Sequence, residues 1–132
     1  MIIKFDDIEK KELKNFYGGD GELIANMFVD DRNKILRGKL EKGCSIGLHK
    51  HEPTSEVIFI LSGKGKSICD GVEELLFAGD CHYCPKGSEH CLINVGEEPL
   101  CFYAVVPMQK REYKKSPAPY TVRGDFLYFY NY

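Results

Sequence analysis

The 132-residue sequence has no apolar run long enough to cross a membrane and no strong excess of charge of either sign. A membrane-spanning helix needs about 18 or more consecutive apolar residues, so we expect no membrane partner. The formal net charge is −2, and the basic residues are scattered, with only short clusters such as "QKREYKK" at 109–115. Because a nucleic-acid-binding protein presents a basic face, we expect no nucleic-acid partner either.

The sequence also lacks a recognisable export signal. Its N-terminal segment "MIIKFDDIEKKELK" has acidic residues where a signal peptide would have basic residues followed by an apolar stretch. We therefore expect a cytoplasmic protein whose six cysteines are reduced thiols. Cys81 and Cys84 have the spacing of a zinc or redox pair, but no second pair accompanies them. On a strand the two would point to opposite faces, so we interpret both as packing residues.

From Glu22 onward the sequence consists of short β-type runs separated by turn residues. Runs such as "ELIANMFV", "SEVIFILS" and "LCFYAVV" alternate with turns such as "DDRN", "SGKG" and "NVGEEP". This punctuation predicts an all-β antiparallel sandwich or barrel. It leaves no room for the crossover helices of a parallel α/β sheet, and the length fits one domain.

Two terminal segments flank these runs. Asp6 and Asp7 precede "IEKKELKNF", which we interpret as a short helix or arm with Ile8, Leu13 and Phe16 on its apolar side. At the other end, "TVRGDFLYFYNY" is rich in aromatic residues, which would form an exposed apolar patch in water. We expect this tail to pack on its own barrel or on the partner subunit of a dimer.

Four side chains that can bind a metal lie in two short segments. His49 and His51 are two residues apart, so on a strand they share a face, and "EPTS" supplies a turn after which Glu56 can face them. His90, at the end of "PKGSEH", begins another strand-like run. Three neutral imidazoles and one carboxylate suit one divalent metal such as Fe(II), Mn(II), Ni(II) or Zn(II), with positions left for water or substrate.

Glycines surround these side chains at characteristic spacings. The first segment contains, in order, Gly43, His49, His51, Glu56 and Gly63. The second contains, in order, Gly79, Pro85, Gly87, His90 and Asn94. Both segments resemble the two conserved motifs of the cupin superfamily, with no position missing. The resemblance covers about residues 23–106 and occurs once, so the chain is similar to a small single-domain cupin, or monocupin.

The resemblance implies a double-stranded β-helix, also called a jelly-roll barrel, with one metal inside its mouth. It implies that His49, His51, Glu56 and His90 hold the metal, with Fe(II) or Mn(II) favoured. It divides the chain into an N-terminal arm (1–22), a barrel (23–106) and a C-terminal extension (107–132). Dimers are common in this superfamily, so we expect a homodimer. The motif glycines are expected at turns that need positive φ, and Asn94 is expected to be structural.

Strand alternation gives a first sketch of the substrate cavity. Counting from Glu56 and from His90 puts apolar side chains on the metal-facing side. Arg37 would clamp a substrate carboxylate if its face were inward, and would otherwise be a solvated surface residue. We interpret His82 as an ordinary, partly buried histidine. The candidate substrate contacts are Arg37, Ile58, Ile60, Tyr83 and Leu92.

These features predict a metal-dependent enzyme acting on a small organic acid, phenol or related metabolite. The metal would act as a Lewis acid or, if it is iron, supply redox chemistry with dioxygen. No further carboxylate stands on the predicted inner faces, which favours a dioxygenase over a decarboxylase, isomerase or lyase. The alternative is a non-catalytic module that binds or senses a small molecule, and the sequence leaves both readings open.

Overall fold

Ten strands form two antiparallel sheets in the computed structural model, which describes residues 1–108. The strands are β1 (Lys11–Lys14), β2 (Glu22–Val29), β3 (Asn33–Leu40), β4 (Ser45–Lys50), β5 (Glu56–Ser62), β6 (Lys64–Cys69), β7 (Val72–Phe77), β8 (Cys81–Cys84), β9 (Glu89–Asn94) and β10 (Leu100–Pro107). The six-stranded sheet has the order β1-β2-β3-β10-β5-β8, and the four-stranded sheet has the order β4-β9-β6-β7. This is the predicted all-β jelly-roll architecture.

The N-terminal segment is an arm, and the short helix expected over residues 8–16 is wrong. Two 3₁₀ turns occupy Phe5–Asp7 and Phe16–Gly18, and β1 lies between them. β1 pairs with the edge of the large sheet, where Leu13 lies opposite Leu23. Pairing with a neighbouring strand outweighs the weak helix preference of "KKELK", a non-local effect that the local pattern does not contain.

The hydrophobic core lies between the two sheets. Buried side chains alternate with exposed ones along the strands, and β10 shows the pattern most regularly. Phe102 of β10 is fully buried and packs against Gly38 of β3, where a Cβ would meet the aromatic ring. The core cluster comprises Leu23, Ala25, Leu36, Leu40, Ile46, Ile58, Ile60, Leu76, Leu92, Leu100, Phe102 and Ala104.

The turn and structural roles predicted for motif residues are confirmed. All four motif glycines have positive φ, at 80° for Gly43, 93° for Gly63, 95° for Gly79 and 88° for Gly87. Asn94 ties the end of β3 to the loop after β9, since its amide donates to the carbonyls of Leu40 and Glu98, each at 2.9 Å, and its Oδ1 accepts from the amide of Gly96 at 2.8 Å.

Two further expectations concern the ends and surface of the chain. Within residues 1–108, no helix is long and apolar enough to cross a membrane. The aromatic tail that we expect to pack on the barrel or on a partner lies outside the described residues.

Candidate metal centre

His49, His51, Glu56 and His90 converge on one point at the mouth of the barrel. One ligand atom from each residue lies within 4.8 Å of the ligand atoms of the other three. His49 on β4 lies opposite His90 on β9, and both belong to the small sheet. His51 directly follows β4, and Glu56 begins β5 of the large sheet. The cluster therefore joins the two sheets, because the turn between His51 and Glu56 leads from the small sheet to the large one.

Each imidazole is held through its outer nitrogen. His49 Nδ1–H donates to the carbonyl of Gly47 at 2.8 Å, because a carbonyl can only accept. His51 Nδ1 lies 2.9 Å from the hydroxyl of Thr54, and His90 Nδ1 lies 2.9 Å from Nε2 of His82. The three Nε2 atoms are thereby left facing the centre of the cluster.

Glu56 Oε1 completes the set. It lies 2.9 Å from Nε2 of His90, 3.0 Å from Nε2 of His51 and 3.9 Å from Nε2 of His49. Three imidazole nitrogens and one carboxylate oxygen, all facing one point, are a donor set that a divalent transition metal accepts. The residues present therefore fit the metal that the fold implies.

The electrostatics of the cluster favour the protonation states that a metal requires. Burial disfavours the charged form of Glu56, but the three neighbouring imidazoles of His49, His51 and His90 outweigh that effect and hold the pKa of the carboxyl well below its ordinary value. Burial also lowers the pKa of His90, although Glu56 opposes this shift. A charged carboxylate and neutral imidazoles are the forms that coordinate metals.

A cavity of about 260 Å³ opens onto the cluster, with His49, His51 and Glu56 in its wall. Tyr17 comes from the N-terminal arm, and its ring stacks on the imidazole of His49 with centroids 4.1 Å apart and planes at 13°. Three further charged side chains line the cavity, namely Lys34, Lys50 and Glu52. The apolar walls are formed by Phe16, Tyr17, Leu23, Met27, Leu36, Ile46, Phe102, Val106 and Met108.

The sequence analysis missed these charged residues and the contribution of the arm. The position of Lys34 could have been inferred from strand alternation. It lies two residues from Leu36, which is 6% exposed and points into the barrel, so both lie on the same face of β3. The signal for Glu52 is its place in the turn between His51 and Glu56. Nothing in the local sequence pattern places Tyr17 over His49.

The five predicted substrate contacts lie elsewhere in the fold. Ile58, Ile60 and Leu92 do face inward, but they belong to the hydrophobic core and are not among the side chains that line the cavity. Arg37 faces outward, because the even-numbered residues of β3 point into the barrel, and its Nη2 donates to Asp6 Oδ1 at 2.8 Å. The ring of Tyr83 is also on the outer face, where the residue is 57% exposed.

The comparison with known proteins agrees with this fold. The sequence profile of the cupin domain matches residues 36–106 of the chain. The chain belongs to the cupin family.

Individual cupins of known name are similar to this one. The oxalate-binding protein of Thermotoga maritima is 32% identical over 112 residues, which cover 80% of this chain and 93% of that protein. The crystal structure of a predicted oxalate decarboxylase from the same organism has a TM-score of 0.77 at 30% identity, covering 83% of this cupin and 100% of that chain. The cupin domain of Schizosaccharomyces pombe Cnp3 has a TM-score of 0.68 at 11% identity, covering 83% of this cupin and 74% of that chain, and it shares the fold alone.

Proposed function

We propose that this cupin binds one divalent transition metal through His49, His51, Glu56 and His90 and uses it to hold a small organic acid. Oxalate is the first acid to test. The observation that carries the proposal is the convergence of three imidazole nitrogens and one carboxylate oxygen beside a small cavity.

The donor set suits several metals, of which we favour Fe(II) or Mn(II), while Ni(II) and Zn(II) also accept imidazole and carboxylate ligands. A bound ion would polarise the oxygens of the acid as a Lewis acid, and an iron ion would add redox chemistry with dioxygen. The chain itself supplies the apolar wall that excludes water and the charges that select the ligand.

The charge of the cavity supports an anionic ligand. The two lysines that line it, Lys34 and Lys50, offset the two carboxylates, Glu52 and Glu56. A divalent ion would therefore leave a double positive charge, which matches a dianion such as oxalate. Lys50 pairs with Glu52 at 3.5 Å, whereas Lys34 forms no ion pair with any other residue of the described range 1–108. The Lys34 ammonium is therefore the better candidate for contact with the ligand.

The size of the cavity and the names of relatives support the same class of ligand. A volume of about 260 Å³ lies below the roughly 300–1,000 Å³ of drug-sized ligand pockets, which favours a molecule of few atoms. A relative 32% identical to this cupin is named an oxalate-binding protein, and a solved structure at 30% identity is named a predicted oxalate decarboxylase.

Catalysis is the second candidate, and the position of Glu52 bears on it. The preference for a dioxygenase depended on the lack of a further carboxylate on the inner faces of the strands. Glu52 lines the cavity from a turn, so a carboxylate that can carry a proton is present beside the metal ligands. This observation makes decarboxylation as reasonable a reaction to test as oxygenation. The alternative is a protein that binds the acid without converting it.

The proposal is tested by calorimetric titration of oxalate into the full chain, purified without a histidine tag. We expect oxalate to bind the Mn(II)-loaded chain and not the chelator-treated chain, and acetate, which has a single carboxylate, to bind more weakly. A chain that takes up no metal would overturn the proposed metal site. A metal-loaded chain that does not bind oxalate would overturn oxalate as the proposed ligand. Formate produced from oxalate would indicate decarboxylation, and dioxygen consumption would indicate an oxidoreductase.

The homodimer and the cytoplasmic location remain predictions. Exposed aromatic rings on the outer face of the large sheet, including Phe59 at 45% and Tyr83 at 57% exposure, are consistent with an interface between copies of the chain. Light scattering coupled to size-exclusion chromatography would measure the mass of the particle, and a monomer at micromolar concentration would contradict the expected dimer.

A further inference from the structure

His82 is a buried residue that connects a metal ligand to the protein surface. It lies on β8 of the large sheet and is 2% exposed. Its Nε2 lies 2.9 Å from Nδ1 of His90, and its Nδ1 lies 2.8 Å from Oε1 of Glu74 on β7. The side chain of Glu74 is 43% exposed. A continuous path of side chains therefore leads from the candidate metal centre to solvent.

The partners at the two ends of this path determine which nitrogens carry hydrogen. A carboxylate only accepts hydrogen bonds, so Nδ1 of His82 must donate to Glu74. The neutral ring then presents a lone pair at Nε2, which accepts the Nδ1–H of His90. The hydroxyl of Ser67, 3.4 Å from the same Nε2, can donate to it as well. This assignment leaves the lone pair of His90 Nε2 facing Glu56.

His90 differs in this respect from the other two histidines of the cluster. His49 and His51 are held by the carbonyl of Gly47 and the hydroxyl of Thr54, partners within three residues of them in sequence. His90 is 1% exposed and is held by a side chain from the opposite sheet. Because His90 is buried, water has little access to its Nδ1–H and cannot readily take the place of His82 as the hydrogen-bond acceptor.

We propose that Glu74 and His82 are positioning residues for the metal. They hold His90 in the Nδ1–H tautomer, aim its Nε2 at the ion and strengthen it as a donor. Partners of this kind, which contact a ligand rather than the metal, typically change metal affinity by about 10–100-fold. The inference rests on the metal site of the proposed function and is independent of the identity of the organic acid.

The first test reads the tautomers directly. Long-range proton–nitrogen correlation spectra of the ¹⁵N-labelled, Zn(II)-loaded full chain distinguish protonated from unprotonated ring nitrogens. We expect hydrogen on Nδ1 of both His82 and His90 and none on Nε2 of His82. Hydrogen on Nε2 of His82 would reverse the direction of the path and overturn the inference.

The second test measures the affinity and visible spectrum of Co(II) by competition with a chelator. We expect His82→Leu to bind Co(II) about 10–100-fold more weakly with shifted absorption bands. His82→Gln should recover part of the loss, since an amide oxygen can accept from His90. Glu74→Gln should cause a smaller loss in the same direction. Glu73→Gln is the matched control, because Glu73 lies on the same strand and its contact is with Lys66, at 3.5 Å.

The possible failures are distinguishable. A wild-type chain that takes up no Co(II) would overturn the metal site and this inference with it. A wild type that binds Co(II), together with a His82→Leu variant of equal affinity and unchanged spectrum, would overturn the positioning role alone. Thermal unfolding of each variant in chelator separates a loss of affinity from a loss of folding, and the partly exposed Glu74 provides a variant that leaves the core intact.

Discussion

The Nε2 atoms of His49 and His51 lie 3.1 Å apart. Because Nδ1 of His49 donates to the carbonyl of Gly47, the neutral ring directs a lone pair from Nε2 towards His51. The carboxylate of Glu56 also lies 3.0 Å from Nε2 of His51. Three electron-rich atoms at such distances repel one another unless a hydrogen or a cation lies between them, and one cation can be shared by all three.

Removal of one of these donors should therefore reduce metal uptake. We expect His51→Ala to lower metal affinity at least about tenfold, since loss of a direct ligand should cost no less than loss of a supporting partner. Metal content of the purified chain by plasma mass spectrometry and titration with Mn(II) measure the effect. Lys42→Ala is the control, because Lys42 is exposed and pairs with Glu97. Full metal content in His51→Ala would contradict the proposed coordination.

Gly47 allows the N-terminal arm to approach the metal centre. A Cβ at this position would meet the carbonyl oxygen of Tyr17, the residue whose ring stacks on His49. We expect Gly47→Ala to lower the free energy of unfolding by about 1–3 kcal/mol, the usual cost of overpacking. Urea unfolding measures this quantity. Leu48→Ala, at a neighbouring position that is 55% exposed, should change it by less than about 0.5 kcal/mol. Equal stability of the two variants would show that the arm does not pack there.

The sequence was sufficient to predict that these four side chains come together, because three of them follow from local spacing and the resemblance to the cupin motifs adds His90. His49 and His51 share a face through a period of two residues, and a short turn returns the chain at Glu56. The jelly roll and the positive φ of the motif glycines were implied by the resemblance of the same two segments to the cupin motifs. The burial of Cys84 beside the exposed Cys81 is likewise a consequence of alternation along β8.

Three features could not be predicted from the sequence, because each depends on contacts between distant segments. The register of β3 decides that Lys34 points into the cavity and Arg37 points outward, and a shift of one residue would exchange the two. Residues 11–14 form a strand because β2 offers them an edge, which no local pattern indicates. His82 meets His90 only after the two sheets have packed face to face.

The thiols of Cys81 and Cys84 should react at very different rates. Burial, followed by the effect of nearby Cys69, raises the pKa of Cys84 to about 12, whereas Cys81 is exposed. The thiolate is the reactive form, and a raised pKa leaves almost none of it at pH 8. We expect iodoacetamide to modify Cys81 and spare Cys84 in the native chain, as measured by peptide mass spectrometry. Denatured protein, in which both should react, is the control, and equal native labelling would contradict the burial of Cys84.

Lys34 should control the affinity for an anionic ligand without affecting the metal. Its side chain lines the cavity, and none of the four candidate metal ligands comes from β3. We expect Lys34→Met, which keeps the length of the side chain and removes its charge, to retain full metal content. Its affinity for oxalate should fall at least about tenfold, because a hydrogen bond to a charged group contributes roughly 1.5–3 kcal/mol.

The matched control for this prediction is Lys39→Met. Lys39 lies on the opposite face of the same strand, where it pairs with Glu41 at 3.3 Å. Both variants lose one positive charge, so a general effect of net charge would weaken oxalate binding equally in the two. Calorimetric titration of the Mn(II)-loaded chains should show a loss in Lys34→Met alone. Wild-type affinity in that variant would mean that the acid is held by the metal and the apolar wall without the ammonium group, so the charge of the cavity would not select the ligand.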